Sequence, residues 1–139
     1  MNIHEQLIRD EGSVPYAYQD TLGYWTIGVG HMIDRRRGGA LPQPIIDALL
    51  GYDITEVNNN LSAHLPWFEV LDEARQAALI NIAFNVGPSG MLAFHSFLTY
   101  MAANDFTKAA ADLRTTKVYQ QLPARYERIA KQIESGVWV

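Results

Sequence analysis

Tyr24-Trp25-Thr26-Ile27-Gly28-Val29-Gly30-His31 reads as a β-strand with two unlike faces, because side chains alternate along an extended chain. Trp25, Ile27, Val29 and His31 share one face and are fit to pack on a core, whereas Thr26, Gly28 and Gly30 leave the other almost bare. A strand stripped on one side suits a place where a ligand or another backbone comes close. Upstream stand two carboxylates, Glu11 and Asp20, separated by Gly12 and a hairpin-like stretch from Val14 to Gly23 that bends at Thr21-Leu22-Gly23. Two acids, a hydroxyl and an open floor make this stretch a candidate active site.

Working outward, residues 3–11 have a short helical pattern, with Ile3, Leu7 and Ile8 on one side and Gly12 as a stop. Glu11 then falls at the helix C-terminus, whose partial negative charge disfavours an ionised carboxylate. Burial would act in the same direction, as a general acid requires. The run from Asp34 through Arg35-Arg36-Arg37 to Pro42 has loop composition. Pro44 opens a long helix in which Ile46, Leu50, Ile54, Val57, Leu61 and Leu65 form one stripe, and Pro66 ends it. Asp72 is a good N-cap for a segment to Val86 that is apolar nearly all round, as expected of a buried central helix. Gly87-Pro88-Ser89-Gly90 reads as a turn, and further helices are expected at about 91–102, 105–115 and 123–134. The fold class is α+β, mainly α, with one small sheet.

A chain of 139 residues with 48% hydrophobic and 19% charged content is a single globular domain by size, with enough apolar mass for a core. The absence of cysteine removes disulfides, thiolate zinc sites and thiol nucleophiles. His4, His64 and His95 have no ligand spacing with one another, so no metal and no cofactor are expected. A net charge of −4 argues against a nucleic-acid partner. Positive charge is local, at Arg35–Arg37 and around Arg114, Lys117, Arg125, Arg128 and Lys131. The N-terminus has neither a basic region nor an apolar run, and no window approaches a membrane span of about 20 apolar residues. No stable membrane insertion is expected.

Glu11-Gly12, the run Tyr18-Gln19-Asp20-Thr21-Leu22-Gly23-Tyr24-Trp25-Thr26-Ile27-Gly28-Val29-Gly30-His31, then residues 78–87, Pro123–Arg128 and Gly136-Val137-Trp138 together resemble the phage-type lysozymes. These are the endolysin-like muramidases of the T-even bacteriophage class, glycoside hydrolase family twenty-four. The resemblance implies a lysozyme-like fold in one domain. A small β-containing lobe at about 12–45 would be joined by a linking helix at about 44–65 to a helical lobe formed by 66–139 with helix 1–11. The loop after Asp34 is shorter than in the T-even enzymes, and the acidic net charge also departs from them.

The implied reaction is hydrolysis of the β-1,4 bond between N-acetylmuramic acid and N-acetylglucosamine in bacterial peptidoglycan, with inversion. Glu11 would be the acid, and Asp20 and Thr26 would activate the water. Inversion implies carboxylates about 6.5–9.5 Å apart. Met32, Phe84, Asn85 and Phe94 match cleft positions of the family, while Phe97 and Asp112 stand where small polar or amide residues are common. His31, placed by parity on the packed face, would form a structural ion pair with Asp53 rather than bind a metal. Arg125 would pair with Glu11, and Arg128 with Asp10. The implied setting is a monomer held in the host cytoplasm, dependent on a holin for release to the wall, or else virion-associated. Two alternatives are a lytic transglycosylase, which needs the glutamate alone, and a non-catalytic peptidoglycan-binding or particle-structural module, which has no use for all three residues.

Overall fold

Helix α1, Ile3–Glu11, opens with a capping box: Asn2 Oδ1 accepts from the Glu5 amide at 3.0 Å while Glu5 Oε2 accepts from the Asn2 amide at 2.9 Å. It ends at Gly12, whose φ of 78° turns the chain into the sheet and whose N–H bonds the Ile8 carbonyl. The computed structural model describes residues 2–33 and 40–139, and the arginine cluster at 35–37 lies outside them.

Strands β1 (Val14–Gln19), β2 (Trp25–Gly28) and β3 (His31–Met32) form one antiparallel sheet in chain order. Val14 pairs with Gly28, Tyr18 with Thr26 and Gln19 with Trp25, and a register irregularity separates the first pair from the others. The expected single strand from Tyr24 to His31 is therefore corrected. Gly28 and Gly30 both have positive φ, at 69° and 61°, and the chain turns between them so that His31 pairs back onto Ile27, and Met32 onto Thr26. Two glycines that looked like a bare face are a tight hairpin turn, which a chain enters readily only where no Cβ resists positive φ.

The chain divides into two compact units, 1–49 and 50–139. Helix α2, Gln43–His64, runs across that division, and of its apolar stripe only Leu61 and Leu65 are buried. In the second unit a single-turn 3₁₀ segment, Phe68–Val70, leads to α3 (Glu73–Val86), capped as expected by Asp72. Then follow α4 (Pro88–Leu92), α5 (His95–Ala102), α6 (Phe106–Leu113), α7 (Lys117–Gln121) and α8 (Pro123–Ser135). The turn expected at 87–90 is instead the start of α4, because Pro88 in its first turn suits a helix N-terminus as well as a bend. Helix α7 was not anticipated; Thr116 caps it through the Tyr119 amide.

Phe68, Leu79, Ile82, Met91, Phe97, Met101, Leu113, Tyr126 and Ile133 are among the residues of the second unit's core. Helix α3 buries Ala74, Ala78, Leu79, Ile82 and Ala83 but exposes 45% of Phe84, so it is not covered all round as its composition suggested. Arg75 ties its start to the end of α8. Its Nε donates to the Ile133 carbonyl at 2.7 Å and Nη2 to the Glu134 carbonyl at 3.1 Å, Nη1 pairs with Asp72 at 2.7 Å, and the guanidinium lies 3.7 Å from the Phe106 ring centroid.

Candidate active site

The β1–β2 connection is built around the Asp20 carboxylate. Asp20 Oδ1 accepts from the amides of Leu22 and Tyr24, each at 2.9 Å, while the Asp20 amide donates to the Tyr24 carbonyl at 2.9 Å. Such an Asx-type turn is what a short acid immediately before Thr-Leu-Gly favours. Oδ2 has no hydrogen-bond partner among the described residues. Asp20 is half-buried, fixed through one oxygen and open at the other.

Thr26 lies in the central strand and is the buried polar residue of the described chain, with 5% of its surface exposed. Its Oγ1 donates to the Tyr24 carbonyl at 3.2 Å, leaving the oxygen able to accept. The peptide groups of Tyr24 thus hold both Asp20 and Thr26. The side chains of Thr26 and its partners Tyr18 and Met32 share a face, because residues directly opposite in antiparallel strands point the same way. That corrects the expected contrast of faces: Thr26 is well covered, whereas Val29 and His31 on the supposed core side are exposed.

Glu11 is exposed. Its carboxyl lies against Gly30: a Cβ built on that glycine would stand 2.8 Å from Glu11 Oε2. The register explains the approach. Val14 opposite Gly28 brings the chain just upstream of β1 to the β2–β3 turn. Asp10, next to Glu11, is engaged by Arg9 at 2.7 Å.

The remaining candidates belong to the second unit, apart from His31 and Met32. Asn85 Oδ1 accepts from the buried Tyr126 hydroxyl at 2.8 Å. Phe94 is half-buried and meets the fully buried Phe97 edge to face, at 6.5 Å between centroids. Asp112 accepts from the Ser96 hydroxyl. Asp53 and Arg128 are exposed. Arg125 donates from Nε and Nη2 to Asn81 Oδ1, at 3.0 and 2.7 Å. Arg125, Asn81, Phe84, Ile80, Leu50 and Trp138 belong to the lining of a largely apolar groove of about 580 Å³. Two features escaped the sequence reading, the shared Tyr24 backbone and the placement of Gly30 under Glu11. The first shows only as an Asp followed by a four-residue turn; the second needs the strand register.

The matching family model and two of the relatives below point to one class, the lysozymes, which are glycoside hydrolases. More narrowly, the chain belongs to the phage lysozyme family, whose model matches residues 9–130. It is 30% identical to the pre-baseplate central spike protein Gp5 of Enterobacteria phage T4, over 98% of this chain but 28% of that protein. A probable T4-type lysozyme of Dictyostelium discoideum is 28% identical over 97% of this chain and 95% of its own length. An endolysin of Acyrthosiphon pisum secondary endosymbiont phage 1 is 30% identical over 75% of this chain and 69% of its own.

Proposed function

We propose that this chain hydrolyses the β-1,4 bond between N-acetylmuramic acid and N-acetylglucosamine of peptidoglycan, with Glu11, Asp20 and Thr26 as its reacting groups. The observation that carries the reading is the way the Tyr24 peptide groups fix Asp20 and Thr26 together, with Asp20 Oδ2 left open. Glu11 gives its proton to the leaving glycosidic oxygen as that bond breaks. A water held by Thr26 attacks the anomeric carbon from the opposite face and passes a proton to Asp20. Met32, on the Thr26 face, contacts the glycan, and Phe84, Asn85 and Phe94 are further candidates for glycan binding. Double-mutant cycles test the ion pairs that the resemblance implies; in the structure Arg9 engages Asp10 and Asn81 engages Arg125. The protein acts as a monomer and reaches the wall from the host cytoplasm after a holin opens the membrane.

Mass spectrometry of the sugars released from purified peptidoglycan, run beside Glu11→Gln, tests the reaction. Reducing-end muramic acid, lost in the variant, is the expected result. Anhydro-muramic acid would move the chemistry to a transglycosylase, and equal release by the variant would sink the role of Glu11. The spike-protein match favours a second setting, in which this chain is a particle-structural unit; co-sedimentation with intact virions would identify it.

A further inference from the structure

Gly28 and Gly30 flank one turn and share a left-handed backbone, but their surroundings differ. A Cβ at Gly28 would meet nothing within 4 Å. A Cβ at Gly30 would stand 2.8 Å from Oε2, 3.1 Å from Cδ and 3.2 Å from Cγ of Glu11. The missing side chain of Gly30 is therefore filled by the carboxyl arm that extends from the end of α1. That arm is flexible and exposed, so a methyl group at position 30 would displace it rather than be refused by it.

We propose that Gly30 is a positioning residue for Glu11: its bare Cα forms the shelf on which the carboxyl rests, and any larger residue pushes the acid off its working position. The proposal rests on Glu11 being the general acid. Displacing a reacting group by about 1 Å can slow a reaction on the order of a hundredfold while the substrate still binds. The loss belongs to turnover, and the matched strain at Gly28 supplies a control.

The test compares Gly30→Ala with Gly28→Ala, reading kcat and KM on solubilised, uncross-linked glycan strands together with the Glu11 side-chain carboxyl ¹³C resonance, assigned with Glu11→Gln. In Gly30→Ala kcat falls at least about tenfold further than in Gly28→Ala; KM is alike in both, and the Glu11 resonance moves in Gly30→Ala alone. Equal losses of kcat, or an unmoved resonance, would overturn the proposal and leave backbone strain as the whole effect. Should Gly30→Ala be too unstable to assay, Gly30→Asn takes its place, because asparagine tolerates positive φ better and still carries the displacing Cβ; an unmoved Glu11 resonance there would likewise overturn the proposal. Full turnover by Glu11→Gln would count against the acid reading alone, since the resonance still reports whether Gly30 seats the carboxyl.

Discussion

The two oxygens of Asp20 differ in what holds them, and under the proposed mechanism substitutions separate a turn-forming role from a catalytic one. Oδ1 organises the turn through the amides of Leu22 and Tyr24, and Oδ2 remains open. Asp20→Asn keeps an acceptor for those amides but removes the charge, so activity should fall by about 10²–10⁴ with Tm little changed. Asp20→Ala removes the acceptor too and should cost roughly a further 1 kcal/mol in stability, measured by urea denaturation. A large Tm loss in the asparagine variant would show that the turn itself depends on the charge, so that the two roles are not separable. At this scale the sequence was informative about residue types. Glu11, Asp20 and Thr26 stand out by spacing and by resemblance. Their environments were less legible, because alternation along one strand cannot reveal that Gly28 and Gly30 reverse the chain.

Among the elements, α3 and α8 are joined by one side chain. Arg75 satisfies carbonyls in the last turn of α8, which lack partners within the helix, and it also stacks on Phe106. With 15% of its side chain exposed, its loss leaves those acceptors poorly paired and should cost about 2–3 kcal/mol. Chemical denaturation of Arg75→Ala checks the figure, and Arg75→Lys, which cannot form the same planar fork, should recover little. Helix existence was readable from periodicity for α1 and α2, from an apolar run behind the Asp72 cap for α3, from Pro123 and Gly136 for α8, and in outline for α5 and α6. Short elements were not: α4 and α7 have five residues each, too few for a hydrophobic period to register. The α2 stripe was also readable as a pattern, yet pattern alone did not tell that Ile46, Leu50 and Ile54 stay exposed.

For the molecule, acid sensitivity follows from two carboxylates of the second unit. Hydrogen bonds from Arg114 hold Glu127 below the usual carboxylate range against the desolvation that raises it, aided by the Tyr119 hydroxyl and nearby positive charge. Desolvation also acts upward on Asp72, but the Arg75 hydrogen bonds and charge, with backbone amides, outweigh it and leave that carboxyl lowered as well. A lowered folded value means that the stabilisation is fully present above the unfolded values of about 4 and is lost as pH falls through the folded ones. Tm should therefore drop as pH falls below about 4, and the drop should be shallower in Glu127→Gln. Identical slopes for variant and wild type would remove Glu127 from the account. The Arg114–Glu127 pairing was not legible beforehand: Arg114 follows the end of α6 and Glu127 lies 13 residues on, within α8, and only the packing of the helical unit brings them together.

The Arg75 clamp also bears on the order of folding events. It closes a span of 58 residues between α3 and the Ile133 carbonyl, and contacts so distant in sequence carry a loop-closure cost that nearer ones avoid. A contact formed after the transition state leaves the folding rate almost untouched and appears in the unfolding rate instead. Stopped-flow measurements on Arg75→Ala should then show unfolding accelerated by on the order of tenfold or more, with refolding nearly as in the wild type. The guanidinium would act as a late latch, setting how long the folded helical unit lasts rather than how fast it is reached.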